Sequence, residues 1–264
     1  MGWQWDPTLY EGSAEFYARG RMPYPQALAD VLRDELGLDG TGRLLDVGCG
    51  PGKLTVVLAP LFAEVIGIDA DAAMVAEATR RAPANATFRQ LRAEELPADL
   101  GMFHVIAFAQ SFHWMQQMEV ATIVRTMLQR GGAFVSLGAT THEGDGSVPR
   151  EAMKELVRSY LGPTRRAGQS AIMDEGPVWN APAALHAAGF GEPREVHVPA
   201  GQIYERSEDD IVASVFSQSW SAPHLFGERL GEFERDLRAL LREHAPADGY
   251  RERLRDETVL IARR

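Results

Sequence analysis

The sequence predicts an α/β protein built on a seven-stranded, mostly parallel sheet flanked by helices. Two observations carry that expectation. Short apolar runs alternate with amphipathic stretches of about ten residues, the pattern of βαβ units. The run Leu44-Leu45-Asp46-Val47 also passes directly into Gly48-Cys49-Gly50-Pro51-Gly52. That is how a buried parallel strand hands over to a helix through a loop that touches a ligand.

Taken in order, residues 11–21 read as a short helix, stopped by the turn Met22-Pro23-Tyr24-Pro25. Residues 26–36 form a second, with Leu28, Val31, Leu32 and Leu36 at helical spacing and Gly37 as its end. The period then changes. Strand 43–47 leads to helix 52–61, and strand 64–68 ends at Asp69. Asp71 is the expected N-cap of helix 71–81. Strands at 86–91 and 103–109 follow, then a helix over 120–129. Gly131-Gly132 introduces a fifth strand over 133–137. Beyond it the pattern loosens: a polar loop over 138–149, a helix over 150–161, and a flexible, arginine-bearing segment over 163–176. A short helix over 181–188, strand 194–198, helices 208–217 and 226–242, and a last strand 258–262 complete the chain. No repeat and no composition break divides it, so a single domain over 1–264 is expected. Within it, 43–140 is the ligand-binding core, and 141–180 and 205–245 are helical segments lying over the sheet.

Composition narrows the function. With 27 basic and 37 acidic side chains the net charge is −10, which argues against nucleic acid and anionic membranes as partners. The single cysteine, Cys49, excludes an internal disulfide or a cysteine metal cluster, and no metal site is expected. The opening residues lack a basic and then apolar leader, and no apolar run reaches membrane-spanning length. A soluble, cytoplasmic protein is expected. The oligomeric state stays open; Trp3 and Trp5 are candidates for packing on the first helix or on a partner chain.

The loop spacing is GxGxG, with Lys53 where a dinucleotide fingerprint has its last glycine. Asp46 inside the strand end would repel a pyrophosphate, and suits a ligand with a positive group nearby. Four ordered stretches then resemble the class I S-adenosylmethionine-dependent methyltransferases, of the small-molecule type related to the ubiquinone-biosynthesis and trans-aconitate enzymes. They are 44–52, Val65-Ile66-Gly67-Ile68-Asp69, Ala93-Glu94-Glu95-Leu96-Pro97 and Ala109-Gln110-Ser111-Phe112-His113-Trp114. The resemblance covers most of residues 10–140 and implies a Rossmann-like fold with S-adenosyl-L-methionine as cofactor and S-adenosyl-L-homocysteine as product.

It also implies roles. Asp69 would accept from both ribose hydroxyls, and Asp46 would face the methionine ammonium through water or the loop. Gly48, Gly50 and Gly52 would give close approach. Ala70 and Met74 would sandwich the adenine with Ala93 and Glu94. The family often has an acid just before that pair; Arg92 stands there in this chain. Gln110 would contact the methionine part. The segment 1–37 would be a helical lid, with Tyr17 over the methionine moiety and Arg19, near Arg21, at its carboxylate. His113 is the candidate base if the acceptor must lose a proton, and otherwise shapes the pocket. Trp114, Phe216 and Trp220 are candidate substrate walls, and Arg165 and Arg166 candidate partners of an acidic substrate.

The expected function is methyl transfer to a small organic molecule, with secondary metabolites and carboxylates among the candidates. Two alternatives keep the same sheet. One is an NAD-dependent oxidoreductase, disfavoured by Lys53, by Asp46 and by the lack of a Tyr-x-x-x-Lys signature. The other is a protein that binds the cofactor without transferring methyl. A nucleic-acid methyltransferase is disfavoured by the charge and by Gln110-Ser111-Phe112-His113, which stands where base-amino methylation has its Pro-Pro-aromatic motif.

Overall fold

The structure is a computed structural model and describes residues 6–138, 145–163, 165–167, 170–173 and 180–264. Trp3 and Trp5 lie outside the described residues, as do the side chains of Arg165 and Arg166.

Seven strands form the main sheet: β1 (Arg43–Val47), β2 (Glu64–Asp69), β3 (Ala86–Gln90), β4 (Phe103–Ala109), β5 (Leu128–Leu137), β6 (Arg194–Val198) and β7 (Glu257–Arg263). Their order is β3-β2-β1-β4-β5-β7-β6. Pairing is parallel from β3 through β5, and β7 runs antiparallel to both β5 and β6. The expected seven-stranded, Rossmann-like sheet is therefore the observed one. The strand order reverses between β1 and β4, so a crevice opens at their carboxyl ends.

The two-residue period of β1 sorts its side chains between the faces. Leu45 and Val47 join Ile66, Ile68, Phe108 and Phe134 under α5 (Gln117–Met127) and α7 (Ala181–Ala187). Leu44 turns to the other face, against Leu28 and Leu32 of α2 (Leu28–Leu36) and Leu54 and Leu58 of α3 (Lys53–Leu58). Asp46 lies on that second face too. An acid on an apolar face needs a donor, and Thr55 of α3 supplies one at 2.7 Å. Helix α4 (Ala72–Arg80) begins as expected, with Asp71 accepting from the Ala73 and Met74 amides at 2.7 and 3.2 Å.

A third apolar cluster lies apart from the sheet. It joins α6 (Arg150–Leu161), α8 (Glu208–Phe216) and α9 (Leu230–Glu243), with Phe216, Phe226 and Phe233 at its centre. Burying each ring contributes roughly 1.5–3 kcal/mol. The N-terminal helix α1 (Ala14–Gly20) packs on this layer, against α8. A Cβ on Gly20 would stand 2.3 Å from the Ala213 carbonyl oxygen, so only glycine lets the two backbones meet there.

Several elements differ from expectation. Residues 7–13 are turns, so α1 starts at Ala14. Strand β5 begins at Leu128, where the helix was expected to continue, and Gly131 at φ 78° carries an irregularity in its pairing with β4. The helix expected over 226–242 is a 3-10 turn, Pro223–Arg229, broken at Gly227 (φ 52°, ψ −130°) before α9 begins. In the segment expected to be flexible, 165–167 pairs with 170–173 as an antiparallel ribbon. Strands Ile203–Arg206 and Tyr250–Arg253, unforeseen, form a second small sheet with Asp145–Gly146. Among the described residues no helix is long and apolar enough to cross a membrane.

Candidate functional site

The crevice is a cleft of about 780 Å³, counting its open mouth. Its floor is the loop after β1. Gly48 sits at φ 68°, and a Cβ there would fall 2.5 Å from Cβ of Ser111. Both backbone strain and space therefore demand glycine. The Gly48 and Cys49 amides bond the Ile68 carbonyl at 2.8 and 3.0 Å, which pins the loop to the end of β2. Gly50, at φ 53°, has no protein atom within 4 Å of where a Cβ would stand, so its backbone faces open cleft.

Asp69 ends β2 beside that loop. Its Oδ2 accepts from the Gly50 amide at 2.8 Å and its Oδ1 from the Asp71 amide at 2.9 Å. The carboxylate is thus fixed by two backbone donors, one per oxygen. Each oxygen keeps a lone pair, which is what a vicinal diol needs. Burial pushes the Asp69 carboxyl up to about 6 despite those bonds. Its acidity is therefore poised to respond to a ligand that donates to it.

One end of the cleft is mostly apolar, lined by Ala70, Met74, Leu91 and Ala93, with Arg92 and Glu94 beside them. Glu94 Oε1 accepts from the Gln116 amide at 3.2 Å, and its Oε2 lies 3.6 Å from the Arg92 guanidinium. The other end is aromatic and polar. Gln110 follows β4 in a left-handed conformation (φ 56°) that a side chain rarely adopts. Such strain, held by the Gln110 amide on the Leu137 carbonyl at 3.2 Å, belongs to sites more often than to scaffolds. Trp114 closes this end, with Tyr10 edge-on to it at 6.1 Å and Tyr17 edge-on to Tyr10 at 6.2 Å.

The structure thus brings Tyr17, Gly48, Gly50, Asp69, Ala70, Met74, Ala93, Glu94, Gln110 and Trp114 to one cleft. It places the other candidates elsewhere. Arg19 points to α8, where Nε donates to Asp210 at 2.6 Å. Gly52, in a left-handed conformation, opens α3, with the Phe88 ring 3.0 Å from where its Cβ would be. Asp46 lies beneath the loop; its Oδ2 holds Thr55 while its Oδ1 is buried without a hydrogen-bond partner. Burial pushes the Asp46 carboxyl up to about 7. His113 stands beside Trp114, ring centres 4.9 Å apart, and does not line the cleft. Phe216 is sealed in the third apolar cluster, and Trp220 packs against it.

Tyr10 is among the lining residues that sequence reasoning missed, together with Pro7, Leu9, Leu91, Ser111 and Met115. Burial pushes the Tyr10 phenol upward, and its hydroxyl bonds the Ser219 side chain. Ser111 supports the floor, its hydroxyl donating to the Val47 carbonyl at 2.6 Å.

Comparison with known proteins relates the chain to methyltransferases. Residues 44–132, from β1 into β5, match the family model of a methyltransferase domain. An uncharacterized methyltransferase-like protein of Schizosaccharomyces pombe is 25% identical over 224 residues, 84% of this chain and 83% of that protein. An uncharacterized methyltransferase of Mycobacterium tuberculosis is 32% identical over 144 residues, 54% of this chain and 57% of that protein. With that relative and several others, the match spans only about half of each length. Among solved structures, a candidate type II methyltransferase of Anaeromyxobacter dehalogenans superposes with a TM-score of 0.54 at 20% identity, covering 92% of this chain and 97% of that one. The YcgJ protein of Bacillus subtilis gives 0.51 at 17% identity, covering 89% and 97%. These two show a shared fold.

Proposed function

We propose, for a chain that carries a class I S-adenosylmethionine-dependent methyltransferase domain, that S-adenosylmethionine occupies the cleft and that the acceptor is a small organic molecule. The observation that carries the reading is Asp69, whose two oxygens are fixed by backbone amides and still have acceptor capacity facing the cleft.

The residues fit that ligand along its length. Asp69 takes the ribose diol. Ala70, Met74 and Ala93 give the adenine two apolar walls, and Glu94 lies at the rim for its amino group. Gly50 bares its backbone where the chain must approach closely. At the far end Gln110, Tyr17 and Trp114 take the methionine part. The buried Asp46 Oδ1 beneath the loop keeps acceptor capacity on the side of the ammonium, whose charge would favour the ionised carboxylate. When bound, the cofactor supplies an electrophilic methyl group on a sulfonium centre.

The protein's work in such a transfer is positioning and exclusion of water. Tyr10, Tyr17 and Trp114 cover the reacting end, and α1 with the turns before it acts as the lid. The helical layer of α6, α8 and α9 is the cap that carries the lid. His113 steadies Trp114 rather than taking a proton. The acceptor enters between the lid and the turn Phe112–Trp114. The nicotinamide alternative is not favoured: the family match points to methyl transfer.

The test is calorimetry with S-adenosylhomocysteine on the parent and on Asp69→Ala. Binding by the parent, lost in the variant, is expected. A parent that binds neither S-adenosylmethionine nor its product would overturn the proposal.

A further inference from the structure

Lys53 is the residue that sets this glycine loop apart from a dinucleotide fingerprint, and the site just described leaves it unused. It is the first residue of α3, directly after the left-handed Gly52. It does not line the cleft. Nζ donates to the Arg21 carbonyl at 2.5 Å and to the Met22 carbonyl at 3.1 Å. Those carbonyls end α1: Arg21 is its C-cap, with its amide on the Tyr17 carbonyl.

The other ties of that turn run to the cap. Arg21 donates to the Ser217 carbonyl at 2.8 Å, and Arg206 donates to the Gly20 carbonyl at 2.9 Å. Arg19 holds Asp210, and the Ser13 hydroxyl donates to the Phe216 carbonyl at 2.8 Å. Both bonds of Lys53, in contrast, tie the lid to the first residue of α3, directly after the loop that floors the cleft.

The arrangement is expensive. Burial pushes the Lys53 ammonium down to about 7, and Arg21, Arg206 and Arg81 add repulsion. Among the described residues no carboxylate lies within salt-bridge distance of it. A methionine would fill the same space without taking a charge out of water. What the amine adds is a pair of strong donors for two carbonyls that the end of a helix leaves unpaired.

We infer that Lys53 is a positioning residue, a latch joining the lid to the first glycine loop so that the closed lid and the ligand-shaped loop are one state. The cap carries the lid, and Lys53 fixes where the cap sets it down. Opening the lid breaks both Lys53 bonds, and a loop displaced from its ligand-binding shape pulls on the lid in turn. Tyr17, one turn before Arg21 and a wall of the cleft, is held over the ligand by the same anchorage. The inference rests on the lid reading proposed above.

Three measurements on the whole chain test it, on the parent, Lys53→Met and Lys53→Gln. Glutamine keeps two N–H donors on a shorter stem. Amide hydrogen exchange of the ligand-free proteins is expected to show faster exchange over residues 14–22 in Lys53→Met, with the sheet strands unchanged. Stopped-flow displacement is expected to show S-adenosylhomocysteine leaving Lys53→Met about tenfold faster, with association altered by less than about threefold, because a lost anchorage acts on residence. Lys53→Gln is expected in between. The unfolding midpoint of Lys53→Met at pH 7 is expected to hold or rise, since a buried charge is gone. Parent-like exchange and dissociation in Lys53→Met would overturn the latch. So would loosened exchange spread over all elements with a lowered midpoint, which marks a merely structural role. If Lys53→Met does not fold, Lys53→Gln decides by the same readouts. A parent that fails to bind the product overturns the proposed ligand, and the exchange data still decide the latch.

Discussion

The β1–β4 side of the carboxyl edge and the helical cap above it both hold polar groups in fixed places, and they do so with different materials. On the sheet side the holding is done by backbone. Asp69 is set by two amides, and the floor loop is set by the Ile68 carbonyl. In the cap it is done by long side chains and stacked rings. Arg238 reaches Glu208, Asp209 and Glu234; Arg206 reaches the buried Glu252 at 2.6 Å; Phe226 stacks on Phe233 at 4.0 Å. Backbone geometry is specified by a few glycines and strand ends and tolerates little exchange. Side-chain networks can be rebuilt around another shape. The difference divides the molecule between a cleft held by backbone and a helical layer held by side chains.

If the division is real, changes on the two sides separate binding from stability. The largest expected effect is on the sheet side. Asp69→Ala removes two charge-assisted hydrogen bonds to the ligand, so affinity for S-adenosylhomocysteine falls by roughly 4 kcal/mol, about a thousandfold, in calorimetry. The cap, reported by exchange of α9 amides, should stay intact. Next is Phe233→Ala, a fully buried ring in the cap. It should lower unfolding free energy by about 3 kcal/mol in urea titration while cofactor affinity stays within about threefold. A large loss of affinity there would break the comparison.

The third change sits on the seam. Gly20→Ala places a methyl group 2.3 Å from the Ala213 carbonyl oxygen, so α1 must part from α8. A loss of about 2 kcal/mol in stability is expected, with faster amide exchange in both helices. The smallest effect is one of pH. The Asp69 carboxyl titrates at about 6 in the free protein, and hydroxyl donors from a ligand favour its ionised form. The bound form therefore has the lower pKa. Affinity should be level above pH 6 and should fall as pH drops through 6, by at most about tenfold per unit. The slope should vanish in Asp69→Asn. A slope retained there would assign it to another group, with Asp46 the next to test.

The same contrast explains what the sequence made readable. Strands β1 to β4, the Asp71 cap and the cluster of Gly48, Gly50, Asp69, Ala93 and Gln110 were legible because each is local. A strand end, its loop and the next helix start lie within about ten residues, and parallel pairing brings successive ends together. Arg19 was assigned toward the ligand because its partner, Asp210, belongs to a helix with no local link to it. Phe216 and Trp220 were taken for a substrate wall because an aromatic run looks alike whether it faces a cavity or another helix; here it faces Phe226 and Phe233. Strands Ile203–Arg206 and Tyr250–Arg253 pair across α8 and α9 and carry little alternation of their own. Tyr10 was missed because it lies on a turn, where no period marks it.

The place of β7 also governs how the molecule is made. β6 touches the sheet only through β7, and β7 is translated after α8, α9 and the strands Ile203–Arg206 and Tyr250–Arg253. During synthesis, then, β6 emerges before its partner β7 exists, while α8 and α9 are still to be translated. The half that carries Asp69 has all its neighbours from β3 to β5 before residue 138 is read. The nascent chain should acquire the crevice first and seal the far edge of the sheet last, which leaves the outer edge of β5 and the strand β6 open to mispairing with a neighbouring chain on the same message until β7 is made.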